Sequence, residues 1–305
     1  MRRPSLTAGE ISPSSGGGPS SGLLLMLGAT IAFTAMQAAV KLLRDDGFAT
    51  SEIILYRSAP ALPLLWWGLR RQKIPLRPAR VGVIALRSAF GIASMATNFF
   101  AVRALTLVQH TVLFLLQPVF VALLAPLALR EPLRAVTLAA LALALSGAAL
   151  VIHPDAAAFA PPLLPALLSA SSALFSALAH LSVRVAAASE PAERVVFHFT
   201  LHASLAGLAW GLAEGAPHDL ELADLPALVG LVGFGTLGQV LMTRAYHREQ
   251  AARVAMIAYA GIPASVALDA WLWRAPAGVG ALAGAGLMVV AGALLQRARP
   301  QPGQP

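Results

Sequence analysis

Ten stretches of the chain are near-continuous blocks of Leu, Ala and Val. Each is about as long as the roughly 20 residues a helix needs to cross a bilayer core. They fall at about 22–43, 52–69, 81–102, 106–129 and 134–152. After a proline-containing divide they resume at about 163–187, 193–213, 225–246, 250–273 and 277–296. The blocks lack the alternating ten-residue pattern of an outer-membrane barrel, so the expected fold class is an all-α integral membrane protein with ten transmembrane helices. Residues 1–21, rich in Ser, Gly and Pro, and residues 297–305 read as disordered cytoplasmic tails. The run from Leu23 to Leu43 is longer than the roughly 7–15 residue apolar core of a signal peptide and carries Gln37 and Lys41, which makes it the first membrane helix.

Composition narrows the class further. Of 305 residues 57% are hydrophobic, 12% are charged, and the mean hydropathy is +0.72. A soluble domain carries about 25% charged residues, and ten spans leave only short connections with no room for a soluble catalytic domain. The absence of cysteine excludes disulfides, thiolate metal sites and a cysteine nucleophile. A net charge of +8 would point to nucleic acid only if the cations shared one soluble face. Instead they are spread between the apolar runs, and no nucleic-acid partner is expected. With the N-terminus placed inside, sixteen of the 22 Lys and Arg residues fall on the cytoplasmic side and four, Lys41, Arg44, Arg103 and Arg274, fall outside. Arg57 and Arg87 remain within helices. That bias predicts both termini in the cytoplasm of a multi-pass protein of the cell inner membrane.

Divided near Pro154 to Pro162, the chain gives two five-helix blocks with parallel wording, 22–153 and 163–296. Ala101-Val102-Arg103-Ala104 and Pro118 in the first answer to Thr243-Arg244-Ala245-Tyr246 and Pro263 in the second. Five being odd, the second block enters from the opposite face, the inverted repeat common among secondary transporters.

Phe99-Phe100-Ala101-Val102-Arg103, Pro118-Val119-Phe120-Val121 and Arg130-Glu131-Pro132 resemble the first half of EamA-type members of the drug/metabolite transporter superfamily. Gln239-Val240-Leu241-Met242-Thr243-Arg244-Ala245-Tyr246, with Ala251, Val254-Ala255 and Tyr259, is similar to their second half. The likeness covers about residues 22–296 and is nearest the ten-helix branch that includes riboflavin and S-adenosylmethionine carriers. It implies ten helices as two inverted EamA-like repeats, a central cavity and alternating access. Ala258 and Ala275 stand where many relatives have acids.

Polar side chains at helical spacing indicate where a cavity would lie, because an ionisable or amide group in hydrocarbon costs a few kcal/mol. Thr30, Thr34, Gln37 and Lys41 share one stripe. Arg87, Gly91, Ser94 and Asn98 share another, His110, Phe114 and Gln117 a third, and Ser169, Ser172, Ser176 and His180 a fourth. Thr236, Gln239 and Thr243 mark the eighth helix, and Tyr259 and Asp269 the ninth. The expected cavity residues are Gln37, Lys41, Arg57, Arg87, Asn98, His110, Gln117, His180, His202, Gln239 and Tyr259. Asp269 and His198 are candidate proton sites. Each has a structural alternative: serine stripes serve close packing, cations within two turns of a helix end snorkel to headgroups, and Asp269 pairs with a buried arginine. His198 and His202 stand i,i+4, but no acid completes a zinc motif, so neither metal nor other cofactor is expected.

The expected function is therefore secondary transport of a small organic metabolite, amino-acid-derived, nucleoside-like or flavin-like, by alternating access with a proton link open. Buried arginines tilt the cavity toward anionic or electron-rich solutes. An intramembrane enzyme lacks a recognisable catalytic set here, since the interior offers one Asp and neither G-x-S-x-G nor H-E-x-x-H. A channel-like protein would give non-saturating flux. Besides the small-molecule substrate and membrane lipid, the partner considered is a second copy of the chain, through Gly278, Gly280, Gly284 and Gly286 of the last helix.

Overall fold

The computed structural model describes residues 21–129, 135–152, 161–215, 218–249, 254–255, 257–275 and 277–297. The tails at 1–20 and 298–305, the Arg130-Glu131-Pro132 motif, Pro154, Ala251 and Pro276 lie outside the described residues. Ser21 and Arg297, assigned to the tails from sequence, are the first and last residues of helices.

The described residues form helices and no strand. In chain order they are α1 (Ser21–Asp45), α2 (Thr50–Ser58), α3 (Leu62–Arg71), α4 (Val81–Val102), α5 (Leu107–Phe114), α6 (Leu116–Leu129) and α7 (Ala135–Ile152). They continue with α8 (Leu163–Ala186), α9 (Ala192–Glu214), α10 (Leu225–Arg248), α11 (Gly261–Leu272) and α12 (Val279–Arg297). Six segments are long and apolar enough to cross a membrane: Ser21–Asp45, Val81–Val102, Leu107–Leu124, Leu163–Ala186, Ala192–Glu214 and Leu222–Arg248. Shorter apolar helices cover Leu138–Leu150, Ile257–Leu272 and Val279–Ala291. Helices satisfy their backbone groups internally, which hydrocarbon requires. Large apolar residues such as Leu24, Ile31, Leu164, Leu167 and Leu205 stand exposed on the outside, as in a multi-pass membrane protein.

Proline breaks three expected spans. The second divides into α2 and α3 at a 3-10 turn, Ala59–Ala61, that holds Pro60. The fourth divides at Leu115, because Pro118 has no N–H to return to the Phe114 carbonyl. In the other half, Pro263 stands in the same relation to Tyr259, and there a 3-10 turn, Ile257–Ala260, precedes α11. Thr106 and Gln109 cap α5 reciprocally, side chain to backbone in both directions.

α1 packs along α10, α4 along α8, α2 along α9, α5 against α11 and α7 along α12. Two of these seams depend on missing side chains. A Cβ on Gly207 would stand 2.8 Å from the Leu55 nitrogen, so glycine sets the approach of α9 to α2. A Cβ on Gly147 would stand 2.8 Å from the Gly284 carbonyl, and one on Gly280 2.7 Å from that of Leu150. Gly280 and Gly284 of the last helix thus make their close contact with α7 of the same chain, whereas a Cβ on Gly286 would meet nothing within 4 Å.

Candidate functional site

Eight of the eleven expected cavity residues meet in one space enclosed by α1, α2, α4, α5, α6, α8, α9 and α10. They are Gln37, Arg57, Arg87, Asn98, His110, Gln117, His180 and Gln239, and the space holds about 1030 Å³ free of atoms, its mouth included. The helical stripes explain the convergence: residues three and four apart face one way. Thr30 and Thr34 line the same wall but donate their hydroxyls to the Met26 and Thr30 carbonyls of their own helix. They contribute shape there and leave no free donor.

One pole is an amide and imidazole cluster. Gln37 Nε2 donates to Asn98 Oδ1 (2.5 Å) and to His110 Nε2 (2.8 Å), and Asn98 Nδ2 donates to the same ring nitrogen (3.0 Å). With amide donors on Nε2, the proton of His110 belongs on Nδ1, which faces Ser169 Oγ at 2.9 Å. Gln37 Oε1 is buried without a partner. A second cluster joins α6, α8 and α10, where Gln117 Nε2 and Tyr246 Oη approach His180 Nδ1 at 2.8 and 3.1 Å. Gln239 Nε2 donates to Thr243 Oγ1 at 3.1 Å.

The two buried arginines share an aromatic platform. The Arg87 Cζ lies 3.8 Å from the centre of the Phe199 ring, and that of Arg57 lies 5.8 Å away. Arg57 Nε points to Met36 Sδ at 3.3 Å, while Arg87 Nε and Nη1 are buried without a hydrogen-bond partner. Among the described residues neither guanidinium meets a carboxylate: the ion pairs are Lys41–Asp45, Arg194–Glu190 and Arg244–Glu193. A buried charge without a counter-charge costs several kcal/mol, and cation–π contact with Phe199 returns only about 2 kcal/mol when desolvated.

The remaining expected residues lie elsewhere. Lys41 sits at the end of α1, 4.0 Å from Asp45, with its ammonium 5.3 Å from the Trp273 ring. His202 Nδ1 meets Ser88 Oγ at 2.8 Å, and His198 Nε2 meets the Leu76 carbonyl at 2.7 Å. Their rings are 5.9 Å apart, and among the described residues no group of three His, Asp or Glu side chains is placed to hold a metal. Tyr259 packs against an apolar core cluster with its hydroxyl buried and unpartnered. Asp269 is a helix cap: its two oxygens accept from the Leu107 and Val108 backbone amides at 3.0 and 2.8 Å, which fixes α11 to the start of α5.

Two groups that shape the site were not singled out as site residues from sequence: Phe199, which lines the cavity, and Tyr246, which stands behind it and hydrogen-bonds the lining residue His180. Tyr246 continues the Gln239 and Thr243 stripe at i+7, so its position was readable. Phe199 is one apolar residue on an apolar helix, and nothing in the sequence marks it.

The fold is shared with a solved crystal structure at a TM-score of 0.65 and 17% identity, over 92% of this chain and 98% of that one. Along nearly its whole length the chain is similar to the pseudopaline exporter CntI of Pseudomonas aeruginosa strain UCBPP-PA14, at 28% identity over 92% of this chain and 97% of the relative. An uncharacterized transporter of Helicobacter pylori strain J99 is 27% identical over 90% of this chain and 96% of its own. Residues 20–153 match the model of the EamA-like transporter family, so the first half of this multi-pass membrane protein is similar to a family of transporters.

Proposed function

We propose that the chain is a secondary transporter that moves a small anionic organic metabolite across the inner membrane by alternating access, with Arg57 and Arg87 as the anion seat. The observation that carries this reading is the pair of buried guanidiniums lining a cavity with, among the described residues, no carboxylate beside them. A substrate anion supplies the missing counter-charge. At the other pole the orphaned Gln37 Oε1 asks for an N–H donor. Of the amino-acid-derived, nucleoside-like and flavin-like classes, a solute with an acidic group and an N–H donor is best met by the first. The likeness to a pseudopaline exporter supports outward movement of a small organic molecule.

The helix pairing supports two inverted repeats, 22–153 and 163–296, around that cavity. Exchanging each of the ten segments with the one five places along turns the α1–α10 seam into the α8–α4 seam. The same exchange leaves α2–α9, α5–α11 and α7–α12 unchanged. With the charge bias of the loops, this reading places both termini in the cytoplasm.

Reconstitution in liposomes loaded with a mixture of amino acids and amino-acid-derived acids tests the function. Saturable release of an acidic member, reduced at least tenfold by Arg57→Gln or Arg87→Gln in protein that remains folded, is expected. Release that rises linearly with concentration, or arginine variants that transport like the parent, would overturn it. Repeating the flux with and without a pH gradient separates proton coupling from facilitated movement.

A further inference from the structure

We infer that His180 is a third donor to the bound anion, a neutral imidazole whose Nε2–H faces the cavity because Gln117 and Tyr246 fix its tautomer. The inference rests on the cavity being the substrate site. Its starting point is the direction of two hydrogen bonds. The Gln117 side-chain nitrogen, 2.8 Å from His180 Nδ1, can only donate. The Tyr246 hydroxyl, 3.1 Å from the same nitrogen, has the Gln117 amide 3.5 Å away on its acceptor side and so turns its own proton to His180. Nδ1 must then accept, and the single proton of a neutral ring resides on Nε2.

Nothing among the described residues hydrogen-bonds that Nε2, although His180 lines the cavity that Arg57 and Arg87 also line. The ring is further held by its tilted contact with Tyr246, centroids 4.7 Å apart. His110 has the opposite assignment, with Nε2 accepting from Gln37 and Asn98. One histidine is thus consumed by the protein while the other keeps a donor for the ligand. Gln117 and Tyr246 touch no substrate in this scheme and act as positioning residues.

The test uses the full chain labelled with 15N-histidine in nanodiscs, with sodium acetate as oxyanion probe and methylammonium chloride as control. The His180→Gln variant assigns the signal among the seven histidines. The expected spectrum has an unprotonated Nδ1 and a protonated Nε2, whose resonance shifts saturably with acetate and not with methylammonium. In His180→Asn the side-chain carbonyl still accepts at the Nδ1 position, but the donor at the Nε2 position is gone. Its acetate affinity, read from the protein's thermal shift, falls about tenfold, the loss of one hydrogen bond to a charged group. His180→Gln, which puts an amide N–H near the Nε2 position, restores most of it. The double variant Gln117→Leu/Tyr246→Phe populates both ring tautomers, a change that a purely structural role would not produce. A protonated Nδ1 in the parent, or equal acetate affinity in parent and His180→Asn, overturns the inference while the arginine seat stands. No saturable acetate response in the parent overturns the anion seat and this inference together.

Discussion

Arg87 folds back over Gly91, one helical turn along α4, and the space a side chain at 91 would fill is occupied by the guanidinium and the edge of Phe199. A Cβ there would overlap Arg87 Nη1 and stand 2.7 Å from the Phe199 ring. The glycine therefore sets where one of the two cavity cations sits. Gly235 does the same for the other: a Cβ on it would stand 3.2 Å from Arg57 Nε.

Gly91→Ala is expected to mimic loss of Arg87 while leaving the arginine in place. Overpacking of this size costs about 1–3 kcal/mol, so the variant folds with a modestly lower Tm. Its kcat/KM for uptake into proteoliposomes falls at least tenfold, approaching that of Arg87→Gln. Parental transport in Gly91→Ala would mean that the guanidinium position does not matter to the substrate.

Asp269 distinguishes a cap from a proton site. Both its oxygens are engaged by the α5 amides, so Asp269→Asn replaces one acceptor with an N–H that faces another N–H. The expected cost is about 1–3 kcal/mol, the penalty of a buried unsatisfied group. It appears as a lower Tm in detergent, with the shape of the transport pH profile unchanged. A Tm equal to the parent with a flattened pH profile would assign Asp269 to proton transfer instead.

Much of this arrangement was legible in the sequence for a simple reason. Polar residues are rare in apolar helices, so Gln37, Asn98, His110, Gln117, His180 and Gln239 each stood out, and helical spacing gave their faces. Depth along a helix was less legible: Lys41 continues the Gln37 stripe but lies one turn further on, where Asp45 and Trp273 receive it. Partnership was not legible at all. Asp269 is bonded to α5 across 162 residues of sequence, and no local pattern announces that pairing. Phe199 was hidden because its role, a platform for two guanidiniums, needs only a ring that looks like any other core side chain.

Outside the spans, Glu190 carries the clearest pH signal. Burial pushes its carboxyl up, but the Arg194 guanidinium at 2.7 Å, together with the Arg80 and Ala79 amides, outweighs this and holds it below the usual glutamate range. A depressed folded-state value means that the unfolded chain takes up the proton first. The contribution is thus complete above the unfolded value of about 4.3 and is lost as pH falls below it through the lower folded value. Glu190→Gln should lower the Tm at pH 7, and the gap between parent and variant should narrow below about pH 4. A gap that stays constant from pH 7 to pH 3 would show that the ion pair is not the source.

The cysteine-free sequence offers a clean test of how the two halves are inserted. If α1 enters from the cytoplasm, the turn after α3 and the turn between α8 and α9 lie on that face. The turns after α1, before α10 and after α11 then lie outside. Single substitutions Gln72→Cys, Ser189→Cys and Arg248→Cys are therefore expected to resist a membrane-impermeant maleimide in intact spheroplasts and to react in inverted vesicles. Asp46→Cys, Glu221→Cys and Arg274→Cys are expected to do the reverse. The pair that decides is Asp46 and Gln72, because α2 and α3 must together make one crossing despite the break at Pro60. If both label from the same side, that segment is re-entrant, the first half crosses an even number of times, and the two halves cannot be inverted copies of one another.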